Sequence, residues 1–129
     1  MGDFKKLEVW QAAHILACAV YKNTATFPKT ETYGLTAQLR RSAASIPANI
    51  SEGCGRCGDA EFGRFLRISL GSATELEYHL LLSRDIGLLD ETTYTSLSQQ
   101  ARRIQGMLAG LKRALKPTVS RSKAVANSP

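Results

Sequence analysis

The stretch Asp90–Pro117, DETTYTSLSQQARRIQGMLAGLKRALKP, decides the architecture. Within it Tyr94, Leu97, Ala101, Ile104, Leu108, Leu111 and Leu115 recur in alternating steps of three and four without a fault. That spacing is the apolar seam of a long helix packed along its length against others. Asp90 stands ahead of the pattern as an N-cap, and Pro117, which cannot continue a helix, closes it.

Working back from this helix, the remaining chain divides into three more. Leu7, Trp10, His14, Ala17 and Tyr21 form one helical stripe, widened by Val9, Ala13, Leu16 and Val20, so a first helix is expected from about Leu7 to Thr24. Phe27-Pro28 ends it, because a residue before proline is pushed out of the α region. After Gly34, the residues Leu35, Leu39, Ala43, Ile46 and Ile50 share one face of a second helix. Pro47 lies inside that pattern, and the apolar spacing keeps its phase across it, which favours one kinked helix over two short ones. Ser42 or Ser45 is expected to satisfy the carbonyl of Ala43 that Pro47 frees. Three glycines between Gly53 and Gly58 predict a turn, with Asp59 as the N-cap of a third helix. That helix presents Phe62, Phe65, Ser69, Ala73, Leu76 and Leu80 and stops near Gly87.

Four helices of similar length with short connections predict an all-α fold, an antiparallel up-and-down four-helix bundle, over residues 1–117. Residues 118–129 read as a basic, flexible C-terminal tail. The hydrophobic fraction of 43% supports a single ordinary core, and no second domain or repeat is visible. The amino terminus has no apolar signal-peptide core, and no apolar run reaches the ~20 residues needed to cross a bilayer. A cytoplasmic protein without membrane association is expected. The odd number of cysteines (Cys18, Cys54 and Cys57) fits reduced thiols rather than a disulfide framework.

No catalytic constellation emerges. Cys54-x-x-Cys57 is half of a zinc site, but its possible completing ligands, Cys18, His14 and His79, fall in the middle of helices away from that turn. Glu75 and His79 are one turn apart, as in di-iron bundles, yet helices one and four bring carboxylates only near their starts. Both histidines lie on apolar-leaning faces and read as core residues rather than bases. No metal, cofactor or enzymatic activity is expected.

Charge is more informative. The net charge is +6, and all 11 acidic residues lie at or before Glu91, so Arg102, Arg103, Lys112, Arg113 and Lys116 follow with no acid after them. Arg102, Arg113 and Lys116 fall within an arc of roughly 60° on helix four at ~100° per residue, flanked by Lys112, with Arg103 further round. Arg64 and Arg67 stand three apart on helix three. Aromatic residues are 7% of the chain and do not interleave with these charges, so phosphate contact fits better than base stacking. A solvated helix face with a basic tail accounts for the same pattern without a ligand.

Polar residues on helices two and three read as structural. Pairing about a turn near Arg56 puts Arg41 beside Gly71 and Gln38 near Glu75, with the small segments Ser42–Ser45 and Gly71–Ala73 facing each other. Glu75 then has Arg41 or Gln38 as a partner, and Glu75, Arg41, Gln38, Asn49 and Glu52 are expected to fix helix register.

The chain resembles the small bacterial four-helix proteins encoded in 23S rRNA intervening sequences, from Phe4 to Leu111. The resemblance is carried by Leu7-x-Val9-Trp10-Gln11, by Phe27-Pro28-x-x-Glu31-x-Tyr33-Gly34-Leu35-Thr36-x-Gln38-Leu39-Arg40-Arg41, and by Ser45-Ile46-Pro47-Ala48-Asn49-Ile50-x-Glu52-Gly53. Glu61-Phe62-x-Arg64-Phe65-Leu66 and Gly71-Ser72-x-x-Glu75-Leu76-Glu77 complete it, while Cys54 and Cys57 fall outside the pattern. It is similar also to the accessory variability determinants of diversity-generating retroelements. The resemblance implies a homopentameric ring and no catalytic residues. For the retroelement branch it implies a basic surface that binds RNA or DNA and engages a reverse transcriptase. Tyr33, Leu88, Leu89 and Val119 are the apolar residues left near the bundle ends for such an assembly.

Overall fold

The computed structural model describes residues 2–56 and 58–115. The described residues form four α-helices: α1 (Glu8–Thr24), α2 (Leu35–Cys54), α3 (Asp59–Asp85) and α4 (Glu91–Ala114). Short 3-10 turns at Phe4–Lys6 and Lys29–Glu31 precede α1 and α2. Each helix packs against its neighbours in sequence, and α1 closes the ring against α4, while the diagonal pairs make no close backbone approach.

The contacts run in opposite directions on adjoining helices, which makes each sequential pair antiparallel. Between α2 and α3, Arg41 pairs with Glu75, the Ser45 hydroxyl meets that of Ser72 at 2.8 Å, and the Ser69 hydroxyl donates to the Ile46 carbonyl at 2.9 Å. Between α3 and α4, Arg84 stacks over the Tyr94 ring at 4.4 Å, while Glu77 accepts from Arg102 and Gln105. Between α1 and α2, Arg40 donates to the Thr24 hydroxyl at 2.9 Å at one end, and the Cys54 thiol donates to the Gly2 carbonyl at 3.4 Å at the other.

The core takes the expected stripes of α2, α3 and α4 together with Leu66. On α1 it takes Val9, Ala13, Leu16, Ala17 and Val20, while His14 and Tyr21 of the expected stripe are exposed and Leu7 and Trp10 are partly buried. Leu16, Leu39, Ile46, Ile50, Phe62, Leu66, Leu76, Leu80, Ile104 and Leu108 are fully buried, each stabilising by about 1.5–3 kcal/mol through the area it withdraws from water. One alanine on each helix (Ala13, Ala43, Ala73 and Ala101) is completely buried, which allows close helix approach. Leu89 also belongs to this core, so it is not left over for an interface, and Leu88 is partly buried against it.

Helix ends follow local chemistry. The Asp90 side chain accepts from the Thr93 backbone at 2.7 Å, which caps α4 and holds its carboxyl below the usual range. At the end of α3, Gly87 adopts φ +84°, Leu88 N–H donates to the Ser83 carbonyl and Gly87 N–H to that of Arg84. Those two bonds make a Schellman cap, which needs the left-handed glycine.

Several expectations require correction. Helix α2 does not stop before Gly53 but continues to Cys54, and the turn begins at Gly55. The reason is steric: a Cβ on Gly53 would lie 2.7 Å from the Cβ of Phe65, so glycine here admits α3 rather than breaking α2. Asp59 is the first residue of α3, and Gly58, at φ +87°, precedes it as the cap position. Helix α2 runs continuously through Pro47. The Ser42 hydroxyl, however, donates to the carbonyls of Gln38 and Leu39, and Ser45 turns to Ser72, so neither serves the Ala43 carbonyl. The α2–α3 register is displaced by about one turn, with Arg41 paired to Glu75, Ser45 to Ser72 and Ile46 to Ser69. Pro117 and the tail 118–129, with Val119, lie outside the described residues.

Candidate nucleic-acid interface

The polar residues of α2 and α3 form one network. Arg41 donates to the Gln38 side-chain carbonyl at 2.7 and 3.1 Å and pairs with Glu75, whose same carboxylate oxygen lies 3.0 Å from His79 Nε2. The Arg41 hydrogen bond, and then that from His79, holds the Glu75 carboxyl below its ordinary value, against the opposing effect of burial. Asn49 donates to the Ser45 carbonyl and hydroxyl and so reaches α3 through the Ser45–Ser72 contact. Glu52 bonds Arg56 at 2.6 Å across a single turn, which is local surface pairing. Four of the five expected polar residues therefore join helices directly or at one remove, and Glu52 does not.

The basic residues divide by whether an acid meets them. Arg102 is not free: it donates to Glu77 at 2.7 Å, and Gln105 donates to the other oxygen at 2.9 Å. Those bonds, Gln105 first and Arg102 second, lower the Glu77 carboxyl. The stretch after Glu91 holds no acid of its own, but α3 brings one to it. Arg64 is likewise occupied, 3.5 Å from Glu61 and stacked over Phe65 at 4.6 Å. Arg67, Arg103, Lys112 and Arg113 are exposed and make no ion pair among the described residues, and Lys116 lies outside them.

Geometry brings part of this set together. Position Gly63 faces Leu115, with an added Cβ 3.6 Å from the leucine Cδ1, so the start of α3 and the last turn of α4 share one end of the bundle. Arg67, Lys112 and Arg113 belong to that end, whereas Arg102 and Arg103 sit nearer mid-length, level with Glu77. The amino-terminal segment arrives there too, tied by the Gly2 carbonyl to Cys54. It adds Lys5 and Lys6, both exposed and without an acidic partner among the described residues. Nothing in residue order sets these two lysines apart, but an antiparallel bundle brings the start of its first helix beside the end of its fourth. Asp3, Glu8, Glu52, Asp59 and Glu61 lie at the same end, with Glu52 and Glu61 already neutralised by Arg56 and Arg64.

The histidines separate. His79 is largely buried, its Nδ1 without a partner among the described residues. His14, expected in the core, is exposed and stacks on Trp10 with ring centroids 5.0 Å apart. It lines an open hollow of about 440 Å³ with Ala17, Cys18, Tyr21, Ala44 and Pro47. Among the described residues no helix is long and apolar enough to cross a membrane, and no group of three or more ligating side chains converges on a metal position. Cys54 is buried, and Cys57 lies outside the described residues.

The sequence profile of the 23S rRNA-intervening sequence proteins matches residues 5–110. No curated protein gives a match. Among solved structures, the chain is similar to a protein of unknown function from the S23 ribosomal protein family of Bacteroides thetaiotaomicron. The two are 26% identical with a TM-score of 0.74, over 82% of this chain and 99% of that one.

Proposed function

Because the chain belongs to the family of 23S rRNA-intervening sequence proteins, we propose that it is a non-enzymatic, cytoplasmic bundle that binds RNA or DNA through phosphate contacts. It does so as a homopentamer, in the service of a nucleic-acid enzyme such as a reverse transcriptase. The observation that carries this reading is the bundle end where Lys5, Lys6, Arg67, Lys112 and Arg113 stand without acidic partners among the described residues. Cations already committed to a carboxylate, such as Arg102, contribute little to a polyanion, since binding would first have to break the pair. Five copies of such a patch on one ring would add through avidity wherever they meet one ligand.

The test is electrophoretic titration with duplex RNA and DNA at two salt concentrations, together with a scattering mass. Length-dependent, sequence-indifferent binding that weakens steeply with salt is expected. A parent protein that binds nothing at low salt, or a mass near the 14.0 kDa of one chain, removes the corresponding part of the reading. A second reading, a protein-interaction module, is favoured by apolar exposure: Ile15 is 62% and Tyr33 96% accessible.

A further inference from the structure

We propose that the outward face of α1 docks a second copy of this chain, the two α1 helices packing antiparallel about a two-fold axis at Ile15. From Val9 to Tyr21 the helix contains no aspartate, glutamate, lysine or arginine, although one side of it faces solvent. A surface helix ordinarily carries charge on that side. Here Ile15 stands out from the middle of it, 62% exposed, with Cys18 also exposed one turn further on. Ala12 and Ala19 flank the isoleucine, and such small side chains let another helix approach to the short end of the usual 8–10 Å interaxial range. A shallow hollow of about 330 Å³ beside Ile15, lined by Cys18, Ala19 and Lys22 among others, gives the incoming side chains room.

The charges at the two ends of this face identify the occupant. Glu8 and Lys22 are exposed and make no ion pair among the described residues. They stand seven residues before and seven after Ile15. That is two turns, about 10.5 Å, in each direction, and the three positions lie on nearly one line along the helix. Turning a second α1 end for end about Ile15 therefore sets Glu8 of each copy against Lys22 of the other, while Ile15 meets its own counterpart. A parallel pairing would instead set glutamate on glutamate and lysine on lysine. The patch complements itself, as an isologous contact requires.

The net charge of +6 drives copies of this chain apart over most approaches. They can meet where the surface is neutral in the middle and oppositely charged at its ends. This contact does not rest on the nucleic-acid reading, and it is separate from a ring of five: a two-fold contact pairs single chains, or pairs whole rings.

The nucleic-acid-free full chain should be weighed by sedimentation over a range of concentrations. The mass should rise to that of two chains, or of ten where rings of five pair. Glu8→Lys and Lys22→Glu each set like charges together at both ends of the contact, and each should weaken the association by about tenfold. Mixing the two variants, or combining both changes in one chain, should restore it, because opposite charges then meet again. Ile15→Cys in a Cys18→Ser background should form an interchain disulfide on mild oxidation, since this position lies on the two-fold axis. Tyr33→Cys in the same background, 96% exposed but away from α1, should not. All of these variants should keep the parent melting curve. The contact is overturned if the mixed charge variants associate no better than either alone, or if Ile15→Cys crosslinks no faster than Tyr33→Cys. A mass fixed at five chains at every concentration also overturns it while leaving the ring standing, and a mass fixed at one chain removes both.

Discussion

Gly53 of α2 and Phe65 of α3 stand so close that a Cβ on the glycine would lie 2.7 Å from that of the phenylalanine. Neither atom can be moved by a rotamer change, since each is fixed to its backbone. Gly53→Ala would gain helix propensity of up to ~1 kcal/mol and lose more by forcing α2 and α3 apart. A net loss of about 1–3 kcal/mol is expected in denaturant melts. Gly106→Ala is the control: nothing lies within 4 Å of its added Cβ, so it should stabilise by about 0.5–1 kcal/mol. Equal effects at the two sites would refute the close-packing account.

Glu75→Gln removes the charge that Arg41 and His79 share. The Arg41–Glu75 pair is half exposed, at 53% and 38%, so solvent screening limits the loss to about 0.5–1 kcal/mol. Glu75 titrates below its ordinary value in the folded state, so its contribution is present above the unfolded pKa. It is lost as pH falls from the ordinary glutamate range through the depressed folded value. Parent and variant melts should therefore differ at neutral pH and converge in acid. A difference that grows on acidification would show that the pair does not act as described.

Charge reversals should separate the free cations from the paired one. Lys112→Glu with Arg113→Glu should abolish salt-sensitive nucleic-acid binding and leave helix content and oligomer mass intact. Lys5→Glu with Lys6→Glu should weaken the same binding, and the salt slope on duplex DNA should fall by about 0.9 for every phosphate no longer neutralised. Arg102→Glu sets two carboxylates against each other across α3 and α4, and should lower the melting temperature more than it affects binding. Binding retained in both double variants would exclude the bundle end as the site.

The cysteines should differ as their burial does. Cys54 is 4% exposed and belongs to the hydrophobic core; a serine hydroxyl can keep the donation to the Gly2 carbonyl but loses the apolar packing of the sulfur, so Cys54→Ser should cost about 1 kcal/mol. Cys18→Ser, on the surface, should cost nothing measurable in the melt. A double Cys54/Cys57 serine variant as stable as the parent would mean that the buried thiol contributes no more than a hydroxyl there.

Much of this protein is legible in residue order. The Leu97–Leu108 seam, the Asp90 cap, the Gly87 stop and the core stripes of α2 and α3 follow from spacing and backbone chemistry, because helical period and capping act over a few residues. The family resemblance from Phe4 to Leu111 is likewise carried by residue order alone. What acts between helices was decided elsewhere. Gly53 reads as a breaker until Phe65 is set against it, and Arg102 reads as free until Glu77 arrives from another helix. His14 reads as core until packing turns Val9, Ala13, Leu16 and Val20 inward and leaves it on the surface beside Cys18. Periodicity specifies a stripe but not the rotation of its helix in the bundle. Side-chain size and close approach across the interface set that rotation, and with it which charges are paired and which face solvent.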